Sequence, residues 1–147
     1  MNFLLVDDDP EDTVLFEEVL QEVDHRIRFT AAANGKKALD QLRSNGQPLP
    51  DLIFLDLNMP IMNGKECLAE IKQDTELKKI PVIIYTTSSH SKDIEETMIG
   101  GALCFITKPL NMKDMKNILS SIVDSMPGNL EKAIRGLSNS ANTYIVY

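Results

Sequence analysis

The chain has 147 residues, 43% of them hydrophobic and 25% charged, with a formal net charge of −7. That composition fits one globular domain able to bury its own core, and it excludes collagen-like, low-complexity and wholly disordered readings. The acidic surface disfavours nucleic acid as a partner, and no apolar run nears the roughly 18 residues of a membrane span.

In chain order, Phe3 to Val6 is a first apolar run, followed by Asp7, Asp8 and Asp9. A helix is predicted from Pro10 to Val23, with Pro10 at a first helical position and i,i+4 pairs Leu15/Val19 and Phe16/Leu20. Residues Ile27 to Ala32 alternate as an edge strand, and a helix from Lys36 to Ser44 stops at Asn45-Gly46. A loop through Pro50 leads to a third run, Asp51 to Leu55, and a helix follows Asn63-Gly64 to about Asp74. Val82 to Tyr85 is the fourth run, with a weaker helix over Lys92 to Gly100. Leu103 to Ile106 is the fifth, before a helix from Met112 to Ser125. Strands alternating with helices make βαβ units, hence an α/β domain with a five-stranded parallel sheet covered on both faces. The seven methionines read as core fillers. Cys67 and Cys104, without CxxC spacing, read as reduced core thiols, and the N-terminus lacks the basic start of a signal peptide. The expected compartment is the cytoplasm.

Ligands of open α/β sheets bind outside the carboxyl ends of the strands. Asp7, Asp8 and Asp9 follow the first run, Asp56 ends the third, Thr86 ends the fourth and Lys108 the fifth, while the second offers Asn34. Two carboxylates about 5 Å apart repel by about 3 kcal/mol at an effective dielectric near 20, so such a cluster protonates, splays or binds a cation. All-oxygen donors favour Mg²⁺ or Mn²⁺ over zinc. A carboxylate, a metal, a lysine and a hydroxyl together make an aspartyl-phosphate site. Singly, each residue has an ordinary explanation: the aspartates as helix N-capping charge, Asp56 as a turn signal. The coincidence at one end of four strands carries the reading. His25 and His90 have no metal-ligand company, and the Asn34-Gly35-Lys36 stretch is no P-loop.

These residues resemble the receiver domains of bacterial two-component response regulators, the CheY-like family. The matching pieces are Leu5-Val6-Asp7-Asp8, Leu55 to Pro60 with Gly64, Tyr85-Thr86-Thr87, Gly101-Ala102 and Thr107-Lys108-Pro109, in order over residues 2 to about 125. The resemblance implies a doubly wound, flavodoxin-like sheet of order 2-1-3-4-5. It implies that Asp56 accepts a phosphoryl group from a histidine kinase or phosphotransfer protein. Asp8, Asp56 and the Asn58 carbonyl would ligate Mg²⁺, with Asp7 acting through a metal-bound water. Lys108 would pair with the phosphoryl group, Thr86 would hydrogen-bond it, and Phe105 would be the switch aromatic, without the hydroxyl of the commoner tyrosine. Asn58 and Ser88 would tune water access, and Lys108–Pro109 would be a cis bond. The chain would be a phosphoacceptor switch with slow autodephosphorylation rather than an enzyme. It would act on a downstream protein target, with homodimerisation through the fourth helix, fifth strand and fifth helix. Relative to a minimal receiver, a few surplus residues fall in the Asn45 to Pro50 loop.

Residues 1–125 are thus read as the receiver domain and 126–147 as a tail, too small for a DNA-binding output domain. Leu130, Ala133, Ile134 and Leu137 outline one short helix in it, and Tyr144 to Tyr147 either docks on a partner or a second copy, or frays. Two other classes stay open. Haloacid-dehalogenase-type phosphatases also use an Asp nucleophile and Mg²⁺, but they carry a second Asp as acid where this chain has Asn58. A degenerate receiver would have lost an acid or the lysine, and Asp7, Asp8, Asp56, Thr86 and Lys108 are all present.

Overall fold

The computed structural model describes residues 1–139 and 145–147, the side chains of 138 and 139 excepted. Its elements are β1 (Asn2–Val6), α1 (Pro10–Val23), β2 (Arg28–Ala32), α2 (Gly35–Leu42), β3 (Leu52–Leu55), α3 (Gly64–Gln73), β4 (Val82–Thr86), α4 (Ser91–Ile99), β5 (Cys104–Thr107), α5 (Met112–Ser125), α6 (Leu130–Asn139) and β6 (Ile145–Val146). A short 3-10 turn at Leu77–Lys79, absent from the sequence reading, is pinned where Asp74 Oδ1 accepts from the Glu76 and Leu77 N–H groups.

The strand order is β2-β1-β3-β4-β5-β6, with the first five parallel and β6 antiparallel to β5. Period-two alternation divides each strand between two cores. Phe3, Leu5, Leu52, Phe54, Ile83, Tyr85, Cys104 and Ile106 pack on the side of α1, α5 and α6. Leu4, Val6, Ile53, Leu55, Val82, Ile84 and Phe105 pack on the side of α2 and α3. Because both faces are buried, the strands read in sequence as continuous apolar runs. β2 is the exception: an edge strand with a mostly exposed pattern.

Cys67 and Cys104 lie in opposite cores as free, buried thiols, and burial pushes each up to about 12. Met112 departs from the core-filler reading: it opens α5 at the lip of a loop and is half exposed, as is Met1 at the chain start. The surplus loop ends at Pro50, where the Asp51 N–H donates to the Asn2 carbonyl, so it lies at the amino ends of the strands, away from the acids.

The tail returns to the domain. α6 sets Leu130 and Ile134 into the core that α5 lines, and Ile145 pairs with Ile106. β6 thereby adds a sixth strand and takes the edge of β5 that the five-strand expectation left open. Tyr144 lies outside the described residues. Met126–Pro127 is the cis bond among the described residues; the cis bond expected at Lys108–Pro109 is not found, and the ordinary trans preference prevails there.

Candidate functional site at the carboxyl ends of the strands

The sheet's hydrogen-bond ladder runs one residue past its strands, and that step sets the site. The Asp7 N–H donates to the Ala32 carbonyl (3.0 Å), the Asp56 N–H to Val6 (2.9 Å) and the Lys108 N–H to Thr86 (2.7 Å). Each of these residues is therefore held by the neighbouring strand rather than by a free loop. Asp7 and Asp56 end adjacent strands β1 and β3, where the order of connection reverses, the crevice at which α/β sheets bind ligands.

Carboxylate oxygens of Asp7, Asp8 and Asp56 all lie within 4.8 Å of one another. Asp7 and Asp56 are buried and Asp8 faces solvent. Asp9, the third of the run, does something else. It caps α1, its side chain accepting from the Glu11 and Asp12 N–H groups, so the ordinary helix-cap reading holds for Asp9 and not for its two neighbours. The Leu57 N–H donates to Asp56 Oδ1 at 2.8 Å. α3 starts so close to the Asp56–Leu57 backbone that a Cβ on Gly64 would run into the Asp56 carbonyl oxygen and lie 2.8 Å from Leu57 Cα. Only glycine allows that approach.

Lys108 supplies the positive charge. Its Nζ donates to Asp7 Oδ2 at 2.7 Å and to Asp12 Oδ2 at 2.8 Å, and stands 3.6 Å from Asp56 Oδ2. Burial pushes the Asp7 carboxyl above its usual range, a shift that the Lys108 ammonium and the Asp9 N–H only partly offset. Burial alone would lower the lysine, but its hydrogen bonds to Asp12 and Asp7 outweigh that and hold it above its usual value. The ammonium also sits 5.9 Å from the Tyr85 ring centroid.

Thr86 is fully buried, and its hydroxyl accepts from the Ser88 N–H at 3.4 Å. Ser88 Oγ in turn donates to Asp93 Oδ2 at 2.6 Å, and Asp93 and Glu96 on α4 both pair with Lys65 on α3. Phe105 is fully buried among the β-strands and α3, with Ile94 and Met98 of α4 packed at its margin. Its ring points inward in this structure. Asn58 is exposed just after β3, while Asn34 caps α2 by accepting from the Lys37 N–H.

Sequence reasoning missed Asp12 and the Lys65–Asp93 link. Asp12 had a signal: it precedes Phe16 by four residues and Val19 by seven, which places a charge on the core-facing stripe of α1. The Lys65–Asp93 pair joins separate helices at half-buried positions and left none.

Three carboxylates and no imidazole or thiolate among them are a hard, all-oxygen donor set, fitted to a divalent cation such as Mg²⁺ or Mn²⁺. No helix among the described residues is long and apolar enough to cross a membrane.

Residues 3–120 match the family model of the response regulator receiver domain. The chain is 38% identical over 125 residues to the response regulator Rcp1 of a Synechocystis strain, a match covering 81% of this chain and 84% of the relative. Among solved structures, it is similar to the phosphorylated cyanobacterial phytochrome response regulator RcpA, with a TM-score of 0.77 and 35% identity over 84% of this chain and 91% of the other. The Mn²⁺-bound form of Rcp1 superposes with a TM-score of 0.75 and 36% identity, covering 85% and 92%.

Proposed function

The chain belongs to the response regulator receiver family, and from that premise we propose that Asp56 accepts a phosphoryl group from the phosphohistidine of a sensor kinase or phosphotransfer protein. The observation that carries this is the placement of Lys108: a mostly buried ammonium 3.6 Å from the Asp56 carboxylate, beside a second and a third acid. An Asp56 carboxylate oxygen attacks phosphorus, the new O–P bond forms as the donor's P–N bond breaks, and the electron pair returns to the imidazole nitrogen. Asp7, Asp8 and Asp56, with the Asn58 carbonyl, would hold a divalent cation, Mg²⁺ or Mn²⁺. Such a cation neutralises charge on the transferring phosphoryl oxygens. Lys108 pairs with a phosphoryl oxygen, and the Thr86 hydroxyl, now bonded only through Ser88, turns to another. RcpA as a phosphorylated relative and Rcp1 as a Mn²⁺-bound one support both halves of this reading.

The readout passes through the β4–α4 loop. When Thr86 leaves the Ser88 N–H, the Ser88–Asp93 bond and the α4 start it anchors are free to shift, presenting a changed surface to a downstream protein. Any homodimer through α4, β5 and α5 forms around β6, which covers the β5 edge. The chain works as a signalling switch rather than as a classical enzyme.

Intact mass after incubation with Mg²⁺ and acetyl phosphate tests the proposal. The wild type gains one phosphoryl-sized increment and Asp56→Asn gains none. A folded wild type that gains nothing from acetyl phosphate or from a panel of phosphorylated histidine kinases overturns it.

A further inference from the structure

Lys108 is shared unequally. Its ammonium has three hydrogens, and two are spent on Asp7 and Asp12 at 2.7 and 2.8 Å, while Asp56 at 3.6 Å is an ion-pair neighbour beyond hydrogen-bond length. We propose that Asp12 is a positioning residue for Lys108, holding the ammonium on the α1 side of the site in the unphosphorylated chain and so limiting how fully it commits to a phosphoryl group on Asp56. This rests on Asp56 being the phosphoacceptor.

The two carboxylates that hold the lysine are not equivalent. The Asp7 side chain is 1% exposed, so leaving it without the ammonium strands a buried charge. The Asp12 side chain is 38% exposed, and water can take the place of the lysine there. Asp12 is therefore the partner Lys108 can give up when phosphoryl oxygens compete for it. An acid in the first turn of a helix is favourable on its own account. That preference does not require a 2.8 Å bond to a lysine 96 residues away. Nor is Asp12 loosely placed: Asp9 caps its turn, and Phe16 and Val19 on the same stripe are buried in the core, so the carboxylate is presented by a helix packed into the domain. Nζ is at hydrogen-bond length from Asp12 on α1 and beyond it from Asp56 just past β3, so a commitment to the Asp56 side competes with the Asp12 bond.

The test is the affinity of the full chain for beryllofluoride with Mg²⁺, a stable stand-in for the phosphoryl group, measured by titration calorimetry. Asp12→Asn keeps the side-chain shape and removes the charge, and it should tighten binding about fivefold, the scale of one half-exposed ion pair. Asp12→Glu, which restores a carboxylate, should stay within about twofold of wild type on the same scale. In a Lys108→Met background, Asp12→Asn should change nothing, since its effect runs through the lysine. Unchanged or weaker binding by Asp12→Asn overturns the proposal, as does an equal gain with Lys108 absent, which would reduce Asp12 to a background charge. A wild type that gains phosphoryl mass while Asp12→Asn binds beryllofluoride as the wild type does sinks only the Asp12 role. A folded wild type that shows neither phosphoryl mass nor beryllofluoride binding removes the phosphoacceptor reading, and this proposal with it.

Discussion

The two groups that flank Asp56 are held by opposite means. On one flank, Lys108 is locked by a nearly dry bond to Asp7 that joins β1 to the end of β5, with Asp12 as a wetter second anchor. On the other, Thr86 is tied to solvent-side helices through a chain of small bonds: Ser88 N–H to its hydroxyl, Ser88 Oγ to Asp93, and Asp93 to Lys65. Buried charge pairs resist being opened because each partner would be left an uncompensated charge, whereas single hydrogen bonds to a hydroxyl exchange at smaller cost. The difference teaches which flank is the frame and which the moving part. Under the proposed function, the lysine flank would anchor the phosphoryl group and the hydroxyl flank would transmit its presence to α4.

The largest test of that contrast is Lys108→Met. It leaves Asp7 and Asp56 without their counter-charge and should cost about 3 kcal/mol in urea unfolding without divalent cations. Ser88→Ala on the other flank removes two hydrogen bonds, the one its hydroxyl donates to Asp93 and the one it accepts from the His90 N–H, and should cost about 1.5 kcal/mol. Equal losses in the two variants would erase the distinction between frame and moving part.

The finest test is the sign of the pH dependence. Asp7 has a folded value raised above 3.8, chiefly by burial, so its native state binds the proton more tightly than the unfolded chain. It therefore disfavours folding when ionised, and that burden lifts as pH falls through its folded value towards 3.8. Asp93 is shifted the other way, chiefly by its hydrogen bond to Lys65. It contributes stability that is present above 3.8 and lost as pH falls through its lowered folded value. In metal-free unfolding measured across acidic pH, Asp7→Asn should flatten a rise in stability on acidification and Asp93→Asn should flatten a fall. Changes of the same sign in both variants would break the comparison.

Much of this was legible in the residues. Apolar runs ending in Asp7, Asp56, Thr86 and Lys108 sufficed for strands, their carboxyl ends and the chemistry gathered there, because strand periodicity and turn signals are local. Gly64 was legible only as part of a motif, and its reason, contact with the Asp56 backbone, needs the packed loop. Asp9 shows the limit within three residues: sequence puts it in a row with Asp7 and Asp8, and only backbone direction turns it to cap α1 while they face Asp56.

The chain's own order of residues determined which strands exist, that both faces of the sheet are covered and which end bears the acids. Those properties follow from short-range periodicity and from the direction of a strand. Tertiary structure alone decided that Lys108 bonds to Asp7 and Asp12 rather than Asp56, that Phe105 is buried inward, and that β6 returns to close the β5 edge. Each depends on distances between groups far apart in the chain, and such distances are set by how helices and strands pack, which no local pattern of residues encodes.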